Sequence, residues 1–386
     1  MRVEIRGFTA ISALGHDRNT QVAAARAGAP GLAPSRPDCL VANPGTIAGW
    51  VERFCDDPQG VFALSDRVLD QLARDCPLTA QERAETAVYF GTTTGNTPQD
   101  ELPAIAKIKQ GQRWRSQFLC GGPGPVASHV AHRFGSRGPL FTFTTACTST
   151  GVALMMALRA IRLGHVKRAL VFGVDLVTKT SVEGFRLLQI YSDKPCRPFD
   201  RDRDGLNLGE GCAALVLEAA GDTPRNRFEI LDGAIANDPS HIAAGSNDGK
   251  TAAGVMREAI RRAGINPGEL VAIKAHGTGT PINDLSELRG MMAAFSGAPP
   301  PFFSWKGFLG HTVGTSAAIE QVLTLWCLEE GFLPAGPGFS TPTPEVPLSP
   351  LMRPLETNGK PGLYLFNAFG FGGSAVSYVV ADRGAP

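Results

Sequence analysis

The stretch PLFTFTTACTSTGVALMMALRAIRLG, residues 139–164, decides how the rest of the chain is read. Its opening, with Leu140, Phe141 and Phe143 set among threonines, has the composition of a strand. It runs into the small-residue turn Thr145-Ala146-Cys147-Thr148-Ser149-Thr150-Gly151. That turn opens onto residues 152–163, apolar nearly all round and so predicted as a buried helix. A further apolar strand is predicted over residues 169–174. A cysteine at a strand-to-helix turn sits beside unpaired amides and the positive end of a helix dipole, which favour its thiolate. The same amides can donate to an oxyanion on a bound thioester.

Working outward, the second half of the chain echoes this plan. Phe302, Phe303 and Ser304 are β-like, Gly310-His311-Thr312-Val313-Gly314 is a small-residue turn, and residues 316–330 read as a buried helix. Beyond each turn lies a glycine-rich bend followed by an apolar strand, at residues 209–217 and 370–380. Two halves of similar plan, 1–220 and 221–386, account for the echo. Strands alternating with helices indicate an α/β fold.

The 386 residues exceed what one hydrophobic core usually serves. Thirty-seven basic residues balance 36 acidic ones, which argues against a nucleic-acid binder. Eight cysteines are scattered without metal-ligand spacing, as expected of reduced thiols in a cytoplasmic protein. The N-terminus lacks the apolar run of a signal peptide, and no stretch reaches about 18 strongly apolar residues, so no membrane span is expected.

His276 lies in Ala275-His276-Gly277-Thr278-Gly279-Thr280-Pro281, an irregular loop with hydroxyls placed after an apolar strand. His311 lies in the turn that mirrors the Cys147 turn. If the halves are related by a pseudo-twofold, both turns meet near the middle of the molecule, and one cysteine with two loop histidines makes a nucleophile set. His16, His129, His132, His165 and His241 are read as ordinary surface or core residues. Lys306 stands between an apolar strand and an apolar turn, where burial demands a partner, and Glu320 on the following helix is the candidate. Residues 196–205 alternate acids with arginines and lack the closing glutamate of a calcium loop, so an arginine–aspartate network is expected there and no metal.

Taken together, these segments resemble the β-ketoacyl-(acyl carrier protein) synthases, the condensing enzymes of type II fatty acid and polyketide synthesis. The likeness rests on Thr145-Ala146-Cys147-Thr148-Ser149 and on Arg197-Pro198-Phe199-Asp200 through Gly209-Glu210-Gly211. It rests further on His276-Gly277-Thr278-Gly279-Thr280-Pro281 with Asp284 and Glu287, on Lys306, Gly310-His311-Thr312 and Glu320, and on Asn367-Ala368-Phe369-Gly370-Phe371-Gly372-Gly373. The resemblance implies a thiolase-like five-layer αβαβα fold built from two βαβαβαββ halves, and a dimer.

It also implies roles. Cys147 accepts an acyl group, and His276 and His311 assist decarboxylation of a malonyl thioester whose enolate attacks that acyl group. The amides of Cys147 and Phe371 form an oxyanion hole, with Phe371 gating the acyl pocket that Phe369 borders. Thr278 and Thr280 bind a phosphopantetheine arm, Asp284 supports their loop, and Lys306 with Glu320 orients the His311 turn. No resident cofactor is implied, because substrates arrive on acyl carrier protein.

The first 120 residues resemble the family poorly, and Gly91-Thr92-Thr93-Thr94-Gly95-Asn96 replaces a more glycine-rich stretch. Residues 121–125 are too rich in Gly and Pro for regular structure and would reshape the acyl tunnel. These departures leave fatty acid, polyene and polyketide chains open. A chain-length-factor-like partner subunit in a heterodimer is the alternative to an active synthase; a degradative thiolase would need a second cysteine in the 367–374 loop, and none is there. Lys107, Lys109, Arg113 and Arg115 form the densest basic cluster, read as a solvated helix face, with carrier docking as the other reading.

Overall fold

Ten of the apolar runs pair into a single sheet in the computed structural model, which describes residues 1–113, 122–221, 225–239 and 246–384. The strands are β1 (Arg2–Ser12), β2 (Ala87–Gly91), β3 (Leu140–Phe143), β4 (Arg168–Asp175), β5 (Gly211–Ala220), β6 (Phe228–Asn237), β7 (Leu270–Lys274), β8 (Phe302–Phe303), β9 (Gly362–Phe369) and β10 (Ser374–Asp382). Their order is β8-β7-β9-β10-β6-β1-β5-β4-β2-β3. At the centre β1 and β6 meet only where Glu4 faces Glu229. Outward from that seam each side runs antiparallel, antiparallel, parallel, parallel.

Six helices complete the repeat: α1 (Gly60–Asp75), α2 (Gly124–Phe134), α3 (Ser149–Arg162), α4 (Lys250–Ala263), α5 (Pro281–Ala294) and α6 (Ser316–Glu329). Each half of the sheet is thus crossed in the sequence βαβαβαββ. Helices α3 and α6 lie between the two halves: Leu154, Leu158, Ile319 and Leu323 pack with Val171, Leu215, Phe366 and Val380. On one outer face Leu64, Val68, Val126 and Val130 cover Phe90, Phe172 and Val216. On the other, Met256, Ile260, Leu288 and Met291 cover Ile273, Leu365 and Val379. Neighbours such as Val171 and Phe172 go to opposite layers because a strand's side chains alternate. Covered on both faces, these strands read as unbroken apolar runs. Helix α6 is buried at every residue through Leu328, so apolar residues fall on every side of it and its polar ones must be partnered inside.

Local differences from the sequence reading have local causes. The predicted 152–163 helix starts earlier, at Ser149, because the Ser149 hydroxyl accepts from the Thr145 amide at 3.0 Å and carries the turn into the helix. Residues 121–125 are not wholly irregular: α2 begins at Gly124 with Pro125 in its first turn, where a missing N–H costs nothing (Gly121 lies outside the described residues). Outside the ten-stranded sheet, a short strand over Leu32–Pro34 pairs with Ile47–Gly49.

The two central helices share an entry. Each follows a three-residue 3-10 turn, Ala146–Thr148 or Val313–Thr315, whose first residue has positive φ, +51° at Ala146 and +36° at Val313. For residues with side chains such conformations cost about 1–3 kcal/mol and persist only where packing imposes them. Thr150 imposes it here: its hydroxyl donates to Gly314 O at 2.8 Å and accepts from the Ala318 amide at 3.2 Å, locking the turns together. The position matching Cys147 in the second turn is Gly314. A Cβ there would lie 2.6 Å from the backbone of Thr92 and Thr93, so only one half has room for a nucleophile.

Candidate active site

A cavity of about 430 Å³ opens where the two turns meet. Cys147, His276, His311, Thr278, Thr280, Phe369 and Phe371 all line it, joined by Phe185, Leu188 and Ile282. Residues from both halves of the chain, far apart in sequence, therefore share one space.

Cys147 is held at the start of α3. The amides of Phe371 and of Cys147 itself donate to its sulfur. The thiolate preference expected from the helix terminus does not prevail. Burial pushes the Cys147 thiol up to about 11, against the pull of Lys306 and the Phe371 amide. It needs a base.

The histidines can supply one. Their rings stand 5.3 Å apart, edge to face, and Phe369 packs edge-on against His276 at 5.9 Å. Burial, with the charge of Lys306 next, lowers both imidazoles well below the usual histidine value, so both are neutral near pH 7. The Lys306 ammonium lies 3.3 Å from His276 Nδ1 and donates to His276 O at 2.9 Å. An ammonium only donates, so Nδ1 accepts and the His276 proton sits on Nε2. On His311, Nδ1 is 2.9 Å from Ser316 Oγ.

Lys306 is fully buried and reaches Glu320 Oε1 at 2.6 Å. Its ammonium braces the His276 loop rather than the His311 turn it was expected to orient. The other Glu320 oxygen is taken by Lys274 at 2.6 Å, and Lys274 also donates to Asn367 O at 2.6 Å. Sequence reasoning missed Lys274, because a lysine ending an apolar strand looks solvated. It also missed Ser316 and Asp175.

Asp175, at the end of β4, accepts from the hydroxyls of Thr92 and Thr94, the amides of Thr93 and Thr94, and the Thr315 hydroxyl at 2.7 Å. The Thr92-Thr93-Thr94 departure and a buried aspartate thus explain each other, and together they pin the turn after His311. The signal available was three consecutive hydroxyls without a visible partner.

In the His276 loop, Asp284 accepts from the amides of Thr278 at 2.8 Å and Phe199 at 2.7 Å, and Glu287 accepts from the amides of His276 and Gly277, both at 2.8 Å. The Thr278 and Thr280 hydroxyls sit 2.9 Å apart on the cavity wall. The arginine–aspartate network expected over residues 196–205 is mostly replaced by backbone bonding. Asp200 accepts from the amides of Ser340 and Thr341, and Arg203 donates to Pro281 O at 2.8 Å. Lys107, Lys109 and Arg113 are exposed; Arg115 and His241 lie outside the described residues. Among the described residues, no helix is long and apolar enough to cross a membrane.

Fold and site define a thiolase-like protein with a cysteine and two neutral histidines around one cavity. Two family descriptions match it: Beta-ketoacyl synthase, N-terminal domain, over residues 57–222, and Beta-ketoacyl synthase, C-terminal domain, over residues 227–340. The chain belongs to the β-ketoacyl synthase family. It is 32% identical over 270 residues to 3-oxoacyl-[acyl-carrier-protein] synthase 2 of Mycobacterium tuberculosis strain H37Rv, a match covering 66% of this chain and 64% of that relative. It is 31% identical to the putative mitochondrial 3-oxoacyl-[acyl-carrier-protein] synthase of Schizosaccharomyces pombe, over 79% of this chain and 76% of that one. Among solved structures, the ishigamide ketosynthase/chain length factor superposes with a TM-score of 0.86 at 26% identity, covering 99% of both chains. The ketosynthase ApeO in complex with its chain length factor ApeC, from Xenorhabdus doucetiae, gives a TM-score of 0.83 at 26% identity over 99% of this chain and 98% of that one.

Proposed function

We propose that this chain catalyses decarboxylative Claisen condensation between an acyl group on Cys147 and malonyl-(acyl carrier protein), extending a fatty acid, polyene or polyketide chain by two carbons. One observation carries the reading: a cysteine sulfur faced by two amides shares a cavity with two neutral, oriented imidazoles. First, Cys147 Sγ attacks the thioester carbonyl of an acyl carrier. The departing phosphopantetheine thiolate takes the sulfur's proton, relayed by a neutral imidazole on the cavity wall. Next, a malonyl thioester loses carbon dioxide, and its bonding pair becomes an enolate whose oxygen accepts N–H bonds from His276 and from His311, the latter with Ser316 donating to Nδ1. The enolate carbon attacks the acyl-cysteine, the amides of Cys147 and Phe371 hold the oxyanion, and collapse expels the Cys147 thiolate. Decarboxylation drives the step, so the chemistry as written calls on no resident metal or redox group. The Thr278 and Thr280 hydroxyls would hold the phosphopantetheine arm, and Phe371, 5.6 Å from Phe185, would gate the acyl space. A cytoplasmic setting suits this chemistry and the seven buried free thiols of the described residues.

Intact-mass analysis after incubation with acyl-carrier thioesters of graded chain length tests the reading, and a single acyl adduct on Cys147 is expected. Because Cys147 titrates near 11, its acylation should speed up as pH rises, whereas carbon dioxide release should stay level between about pH 6.5 and 8.5, where both histidines are already neutral. No adduct from any donor would sink the proposal.

The partner surface has a physical basis as well. At one end of the sheet β3 leaves its outer edge without a strand among the described residues, with Leu140 38% and Phe141 47% exposed. An exposed apolar edge is a template for pairing with another chain. We expect a second copy or a related subunit to dock there. Phe141→Asp should turn a dimer into a monomer in light scattering, and an unchanged mass would place the interface elsewhere.

A further inference from the structure

Away from the cavity, two cysteines from separate segments face each other. Cys39 lies in an irregular loop, and Cys55 lies in the short 3-10 helix Phe54–Asp56. Their sulfurs and an Asp56 carboxylate oxygen all fall within 4.8 Å of one another. The Cys55 thiol beside it, and the amides of Val41 and Ala42, hold the Cys39 thiol below the ordinary cysteine range. The Cys55 thiol, as donor in that pair and buried, is pushed the other way. Arg36 lies alongside, bonded to Asp56. Cys39 is 9% exposed, and its sequence neighbours Asp38 and Leu40 line a surface cleft of about 400 Å³. A low-titrating thiolate near a cleft, with a second thiol behind it, is the arrangement of a nucleophile and its resolving partner.

A bound cation fits this cluster less well. The third ligand, Asp56, already accepts from the Leu40 amide at 3.1 Å and from the Arg36 guanidinium, so a metal would have to displace a cation.

We propose that Cys39 and Cys55 form a peroxide-responsive dithiol that closes to an intramolecular disulfide, independently of the condensing chemistry. The Cys39 thiolate attacks one peroxide oxygen. The O–O bond breaks, a hydroxide leaves and takes a proton to become water, and Cys39 becomes a sulfenic acid. Cys55, giving up its proton, attacks that sulfur; the S–O bond breaks, the S–S bond forms and a second water leaves. Two electrons pass from the two thiols to the peroxide.

The position gives the bond a reach into the site. Cys39 and Cys55 belong to one apolar cluster with Val313 of the His311 turn and Leu206 of the cavity wall, and Phe185 packs against it. Glu210, whose carboxylate accepts from the Val51 and Val177 amides, is pushed up to about 8 by burial. Its neighbour Gly209 donates to His311 O at 2.9 Å. A bridge between residues 39 and 55 therefore ties the layer that backs one wall of the cavity.

The test is peptide mapping of the full-length chain after graded hydrogen peroxide and alkylation under denaturing conditions. The expected result is a Cys39–Cys55 linked peptide, lighter by two hydrogen atoms and reversed by dithiothreitol. In Cys55→Ser the link should vanish and Cys39 should be captured by a 1,3-diketone probe for sulfenic acid. Both thiols remaining alkylatable at peroxide doses that oxidise Cys147 would overturn the proposal. So would one tightly held zinc ion per chain that is lost in Cys39→Ser, since the pair would then be a metal site.

Discussion

Cys147→Ala is expected to take no acyl group at all while still releasing carbon dioxide from malonyl-(acyl carrier protein). The two half-reactions need different groups, apart from the proton relay in acyl transfer, which either imidazole on the cavity wall can serve. Acyl transfer requires the sulfur, and losing an essential nucleophile lowers such rates by at least about 10³-fold. Decarboxylation requires N–H donors where the enolate oxygen develops, and these come from His276 and His311, whose positions do not depend on the sulfur. His276 is held by Lys306 and by Glu287 through its amide, and His311 by Ser316 and the Asn207 carbonyl. The amides of Phe371 and residue 147 also survive the change. His311→Ala should do the opposite, accepting the acyl group but losing about 10²–10⁴-fold in carbon dioxide release. The assays are intact mass for the first step and radiolabelled carbon dioxide for the second. If His311→Ala released carbon dioxide at the wild-type rate, the enolate role would be wrong. If Cys147→Ala were acylated, the nucleophile would be another residue.

How much of this was legible in the sequence follows from what each residue depends on. The Cys147 turn, its helix and the echo around His311 were readable because strand and helix periods and small-residue turns are local signals. The start of α3 at Ser149 was not, since it depends on one side-chain bond back to Thr145. Cys147, His276, His311 and Phe371 could be picked out by their motifs, and the structure places all of them on one cavity. The charge state of Cys147 could not, because its burial outweighs the dipole that a sequence reveals. Lys274 and Asp175 were missed for a related reason. Each ends an apolar strand and is satisfied only by residues remote in the chain, Glu320 and Asn367 for one, Thr92, Thr93, Thr94 and Thr315 for the other. For Lys274 the sequence carries no trace of the pairing, and for Asp175 it shows only the three consecutive threonines, without the partner.

That hidden lysine sets the second large effect. Glu320 holds an ammonium on each carboxylate oxygen, Lys274 and Lys306, both at 2.6 Å, and all three side chains are at most 1% exposed. A buried ion pair gains little net stability over an apolar replacement, but removing one partner strands the other charge in a poor solvent. Here removing the carboxylate strands two like charges that repel each other across the space it occupied. Glu320→Gln is therefore expected to lower unfolding free energy by about 3–5 kcal/mol, read from denaturant midpoints. Lys274→Met should cost less, because Glu320 keeps Lys306 and a methionine fills the vacated stem volume. Lys306→Met should behave similarly in stability yet cut carbon dioxide release, since it also removes the donor to His276 Nδ1 and its carbonyl. The triple variant, apolar at all three positions, should recover much of the loss seen in Glu320→Gln while remaining poor in decarboxylation. That separation of stability from activity is the decisive outcome. A triple variant no more stable than Glu320→Gln would mean that packing, not stranded charge, sets the cost. One with full decarboxylation would mean that Lys306 does not position His276.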